Sequence, residues 1–183
     1  METAVFGGGC FWCTEAIFEA IAGVDSVTSG YCGGEVAFPS YEQVASGQSG
    51  HAEVVRVEFD LGTISYYSLL EIFLLTHDPT TLNRQGGDVG NQYRSVIFAQ
   101  SDEQERVARS ILADAENSGI WEAALVTEID GAKPFYPATI DHQAYYRHHR
   151  HEPYCSLVIA PKLAMLSDHF GAKLNRNFSV SRK

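Results

Sequence analysis

The chain has 183 residues, 45% hydrophobic and 20% charged, which is ordinary globular composition with enough length to bury a sizeable core. Its 13 Lys and Arg against 23 Asp and Glu leave a net charge of −10, which argues against a protein that neutralises many nucleic-acid phosphates. The most apolar stretch, Leu69 to Leu75, is too short to span a bilayer and carries Glu71, so no membrane association is expected.

Thr3 to Phe6 is a short β-prone run that enters the turn Gly7-Gly8-Gly9 and then Cys10. From Phe11 to Ile21 apolar residues recur at near-helical spacing around Glu15 and Glu19, and Gly23 is a stop signal. Val24 to Gly30 reads as a strand, and Ala52 to Phe59 as a second one ending at Asp60. Ser65 to His77 is an amphipathic helix with a serine cap, followed by a Gly-rich polar loop from Asp78 to Asn91. Tyr93 to Ala99 is a further strand. Ser101 with Gln104 reads as a capping box that opens a helix running to Asn117. Residues 124–129 add an expected edge strand, and 141–151 and 161–175 read as helices. The order β-α-β-β-α-β predicts an α/β (α+β) fold: a two-layer ferredoxin-like split β-α-β plait with extra C-terminal helical and irregular segments. One domain is expected over residues 1–183, with no repeats.

Residues 147–183 hold 7 basic and 2 acidic side chains, so the tail presents a different surface from the acidic body. The opening METAVFGGG has neither a basic region nor a long apolar run, so no export signal is expected and the cytoplasm is the expected compartment. Four cysteines are too few for a disulfide scaffold at this length; they read as chemistry or as packing.

Cys10 is the most informative position. A cysteine at a helix start after a glycine turn meets free N–H groups and the positive end of the helix dipole, which favours the nucleophilic thiolate. Cys10 and Cys13 form a C-x-x-C, which suits a redox dithiol; half of a zinc site is disfavoured because no second spaced pair exists and Cys32 supplies only one more ligand. His142, His148, His149 and His151 lie near Cys155, but interleaved with Arg147 and Arg150 they read as a solvated helix end rather than a transition-metal site. Strand alternation puts Glu53 on the same face as Val55, Val57 and Phe59, the face expected to be buried. Glu53 is then either a desolvated carboxylic acid that can donate a proton or a strand-end glutamate paired to an arginine. Tyr41 and Tyr93 taken alone are equally open between chemistry and packing.

Gly8-Gly9-Cys10-Phe11-Trp12-Cys13-Thr14-Glu15, Pro39-Ser40-Tyr41, Gly50-His51-Ala52-Glu53, His77-Asp78-Pro79 and the run from Arg84 to Ser95 resemble, in order, the A-type peptide methionine sulfoxide reductases. Phe135-Tyr136 and Asp141 to Tyr145 fit the same pattern, and the resemblance runs from about residue 4 to about residue 160. It implies an enzyme that reduces the S-epimer of methionine sulfoxide, free or in proteins. On this chain it assigns the attack on sulfur to Cys10, the substrate's S-methyl group to Phe11 and Trp12 with Tyr145, and protonation of the sulfoxide oxygen to Glu53 assisted by Tyr41 and Tyr93. Asp88 would order the Tyr93 loop. Cys10 would become a sulfenic acid and then a disulfide with a resolving thiol, for which Cys155 is favoured over Cys13. Cys32 is expected to be structural. Thioredoxin or a similar dithiol would close the cycle in a monomeric enzyme, with no cofactor or metal. A thioredoxin-like disulfide oxidoreductase also explains the C-x-x-C, but it leaves Glu53, Asp88 and Tyr93 without a task.

Overall fold

The computed structural model describes residues 1–175; the end of the basic tail, 176–183, lies outside the described residues. The elements follow the chain as β1 (Glu2–Gly8), α1 (Phe11–Glu19), β2 (Val24–Cys32), α2 (Tyr41–Ala45), β3 (Ala52–Phe59) and α3 (Tyr66–Thr76). A small hairpin, β4 (Arg84–Gln85) with β5 (Asp88–Val89), precedes β6 (Ser95–Ala99) and α4 (Asp102–Asn117). Then come β7 (Glu128–Gly131), β8 (Phe135–Pro137), α5 (Tyr145–His148) and α6 (Ala160–Phe170).

The fold is α/β, as expected. Six strands form one sheet in the order β7-β6-β1-β3-β2-β8, with every pair antiparallel except β6 and β7. Period-two alternation sorts each central strand between two faces. Ala4, Phe6, Val55, Val57, Phe59 and Ile97 join α1, α3 and α6 in the main core, where Phe6 stacks against Phe18 at 5.3 Å and Phe73 at 5.1 Å. Val5, Val54, Val96 and Phe98 form a second, smaller core on the other face, closed in part by Phe135. Arg56 lies on this second face too, with its guanidinium 4.7 Å from the Phe135 ring centre.

Ser65 caps α3 and Ser101 caps α4, each accepting from the backbone N–H three residues on. Gln104 does not complete the reciprocal half of its box. Its side-chain oxygen accepts from the Gln100 N–H and its amide donates to the Thr3 carbonyl, which ties α4 to β1. The expected strand at 124–129 lies further on, at Glu128–Gly131. The expected helix 141–151 is corrected: a 3-10 turn at Ile140–His142 is separated from the four-residue α5 by Ala144, which has a left-handed φ of 50° that breaks helical continuation. The helix expected at 161–175 is shorter: α6 stops at Phe170, a 3-10 turn at Gly171–Lys173 follows, and the helix is entered through a π-helical turn at Cys155–Ile159 that starts at the cysteine. Cys155 is thus part of a helical run, fully buried in the main core.

Candidate active site

The glycine turn brings α1 close to the loop after α3. Gly9 has φ +100°, and a Cβ there would meet the Gln85 side chain at 2.6 Å, so only glycine lets this loop pack against the start of α1. Cys10 is the residue that opens α1, and the Cys13 N–H donates to its carbonyl at 3.1 Å, so the two side chains project from one helical turn. Both thiols are buried, Cys10 with 9% of its surface exposed and Cys13 with 3%.

Their protonation is shared. Cys13 is lowered to about 7, chiefly by a hydrogen bond from Cys10, against burial. Cys10 is pushed well above an ordinary thiol by burial, by that same bond and by the nearby Glu53 charge. The expectation that the helix start depresses Cys10 is therefore corrected. The Trp12 backbone N–H does favour the Cys10 thiolate, but burial outweighs it, and the lowered thiol of the pair is Cys13.

Glu53 sits on β3 opposite Tyr31 of β2, with 2% of its surface exposed. It lies on the Val55 face as alternation requires, and among the described residues no arginine or lysine pairs with it. Its Oε2 accepts from the Phe11 N–H at 3.0 Å, which places the carboxyl beside the start of α1. Burial raises Glu53 to about 8, against the lowering effect of that N–H, so at neutral pH it is a carboxylic acid. Tyr41 and Tyr93 are both raised, first by burial and then by the charges of Glu53 and Cys10, which puts the two hydroxyls in the same electrostatic neighbourhood.

Aromatic rings wall the site. Trp12 stacks on Tyr145 at 3.7 Å with the planes 6° apart, and Tyr145 stacks in turn on His149 at 3.9 Å. Phe11 is buried, its ring 5.6 Å from both Tyr31 and His142. His142 accepts the Trp12 indole N–H on Nδ1 at 3.3 Å and stacks against Tyr41 at 4.6 Å. The reading of the four histidines as a solvated helix end thus fails for His142 and His149, whose rings belong to this wall. Among the described residues no group of three His, Cys, Asp or Glu is arranged to hold a metal ion.

Asp88, assigned to ordering the Tyr93 loop, accepts a hydrogen bond from Tyr154 at 2.8 Å, and the same hydroxyl lies 3.6 Å from the Cys13 sulfur. Cys155 is raised by burial and next by the charges of Glu152 and Cys13. Cys32 lies away from this cluster in the second core, as expected of a structural thiol, and burial raises it to about 11. Tyr154, His142 and Glu15 are the site residues that sequence reasoning missed. Glu15 carried a readable signal: a carboxyl one turn beyond Trp12 on a helix whose neighbours at 16, 17 and 18 are apolar.

A pair of thiols that sheds its first proton near neutrality beside a protonated carboxyl is equipped to take oxygen from a substrate onto sulfur, and this defines the class as thiol-dependent reductases. The model of the family described as peptide methionine sulfoxide reductase matches residues 2–174. A peptide methionine sulfoxide reductase MsrA from Ralstonia nicotianae is 50% identical over 178 residues, covering 95% of this chain and 93% of the relative. The crystal structure of Mxr1 from Saccharomyces cerevisiae in reduced form aligns with a TM-score of 0.77 at 32% identity, covering 84% of this chain and 88% of that one. Mxr1 in complex with Trx2 aligns with a TM-score of 0.54 at 25% identity, covering 79% of this chain and 84% of that one.

The chain belongs to the peptide methionine sulfoxide reductase family, and its activity is the thiol-dependent reduction of methionine sulfoxide, as a peptide-methionine (S)-S-oxide reductase that repairs oxidised methionine.

Proposed function

We propose that Cys10 is the attacking sulfur, Glu53 the proton donor, Cys13 the resolving thiol and a thioredoxin-type dithiol the reductant. The carrying observation is the buried Glu53 carboxyl, protonated up to about pH 8 and hydrogen-bonded to the N–H of the residue next to Cys10. A sulfoxide oxygen leaves poorly until it is protonated. Cys10 passes its proton to the Cys13 thiolate, and its sulfur bonds to the sulfoxide sulfur as Glu53 protonates the oxygen. The oxygen is transferred to Cys10, methionine departs, and Cys10 is left as the sulfenic acid. Tyr41 and Tyr93 hydrogen-bond the oxygen, while Phe11, Trp12 and Tyr145 hold the methyl group.

The sulfenic acid then condenses with the Cys13 thiol, forming an S–S bond and releasing water. Cys13 is supported by its place one helical turn from Cys10, where its N–H donates to the Cys10 carbonyl, and by its low pKa. Cys155 is disfavoured because it is wholly buried and burial raises its thiol. Of the three residues Cys10 is the most exposed, so the reductant attacks its sulfur and expels Cys13 as a thiolate, the better leaving group for its low pKa. The yeast relative's complex with Trx2 supports a thioredoxin in this step. All four cysteines are unpaired, which fits a reducing compartment such as the cytoplasm.

Single-turnover release of methionine tests the assignment. Cys10→Ser is expected to abolish it, and Glu53→Ala to slow it by about 10²–10⁴-fold, the usual worth of a general acid. Glu53→Gln keeps a hydrogen-bond donor and is expected to lose less. Equal rates in wild type, Gln and Ala would overturn the proton-donor role.

A further inference from the structure

Glu15 is a buried carboxyl with 1% exposure that none of the steps above uses. It projects from α1 one turn beyond Trp12. Its Oε1 accepts from the Ala144 N–H at 2.9 Å and its Oε2 from the Tyr145 N–H at 3.3 Å. These are the first free N–H groups of α5, which has no side-chain cap of its own because alanine stands at its N-cap position. A carboxyl group from α1 thus supplies the cap that α5 lacks, and it does so at the left-handed residue, φ 50°, that aims Tyr145 at Trp12.

We propose that Glu15 is a positioning residue for the substrate seat: by capping α5 from α1 it holds the Tyr145 ring in its stack on Trp12 and so fixes the wall that receives the methyl group. The proposal rests on the reading of Trp12 and Tyr145 as that seat.

Three features around Glu15 fit this role. Trp12, Glu15 and Glu19 lie along one edge of α1 and grip Tyr145, the Ala144-Tyr145 backbone and Arg147 respectively. The Glu19–Arg147 pair at 3.0 Å is the weak member of the three, because Arg147 is 58% exposed and solvent screens such pairs. From the other side Gln143 ties the segment to β2, accepting from the Ser29 N–H and donating to the Ser29 and Ala138 carbonyls. His142, the residue before the Gln143 anchor, is held where it accepts the Trp12 indole N–H.

Two readouts in a Trp121→Phe background, where emission reports Trp12 alone, test the role. Glu15→Ala is expected to change Trp12 emission as the Tyr145 stack loosens and to raise the KM for a methyl sulfoxide about tenfold, with kcat within about twofold, as fits the loss of two buried hydrogen bonds that set a binding geometry. Glu15→Gln restores one of the two acceptors and is expected to fall between; it carries the test if the alanine variant does not fold. Glu19→Ala, which removes only the solvent-screened pair with Arg147, is expected to move both readouts less than Glu15→Gln does. Unchanged emission and KM in Glu15→Ala, with a raised KM in Tyr145→Ala, would overturn the positioning role while leaving the seat intact. An unchanged KM in Tyr145→Ala would instead overturn the seat reading, and the proposal with it.

Discussion

Cys13 owes its low pKa to a neighbouring thiol rather than to the helix end, and that difference decides how the two cysteines divide the work. A buried thiol beside a second thiol loses its first proton easily only because the proton left behind is shared, so the acidity belongs to the pair. The sequence placed the C-x-x-C at a helix start correctly, yet burial is set by residues far along the chain, Tyr154 and Tyr145 among them, which no local pattern reveals. The same holds for Tyr154, whose hydroxyl connects Asp88 to Cys13. This geometry predicts the bridge formed when the enzyme is treated with one equivalent of methionine sulfoxide and no reductant. Peptide mapping is expected to find Cys10 joined to Cys13, in wild type and in Cys155→Ser alike. A Cys10–Cys155 bridge in the wild type, with sulfenic acid persisting in Cys155→Ser, would transfer the resolving role to Cys155.

At the scale of elements, legibility followed length. The strand read as Ala52 to Phe59 has those same ends, and α3 and α4 begin at the serines that the capping signals picked out. Long periodic segments carry many residues that agree with one another, and a serine cap marks their start. Short elements lack that redundancy. The five-residue α2 is too brief for a period, although Ser40 and Gln43 form a complete capping box in front of it. The three-residue β8 exists because β2 offers an edge, a tertiary cause invisible along the chain. Where a local signal was enough, it predicts a local effect. Ser101→Ala removes the acceptor for the Gln104 N–H at 3.2 Å and is expected to cost about 1 kcal/mol, lowering the thermal midpoint by roughly 2–4 °C. Because α4 stands apart from the thiols, methionine sulfoxide reduction at room temperature is expected to stay at the wild-type rate; a change in that rate would show that α4 communicates with the site.

The whole molecule keeps ionisable groups neutral in its interior, and their opposed signs shape its stability against pH. Burial lowers His77 to about 4, so its contribution is present above the ordinary histidine value of about 6.5 and is lost as pH falls toward 4. Glu53 and Glu15 run the other way. Burial raises them to about 8 and about 7, so between the ordinary carboxyl value and those points the folded state holds protons that the unfolded chain has released. Stability is then greatest for these groups below about pH 4.5 and declines as pH rises through the folded values. Glu53→Gln isolates one of them, because His77 and Glu15 titrate in both proteins and cancel in the difference. The variant's stability relative to wild type is expected to be flat below about pH 4.5 and to climb between about 4.5 and 8 by at most ~1.4 kcal/mol per pH unit, levelling above that. Thermal midpoints of the two proteins measured across this range decide the matter. A difference that does not change with pH would mean that Glu53 is ionised in the folded enzyme, and a carboxylate with no proton to give could not be the acid that releases the sulfoxide oxygen.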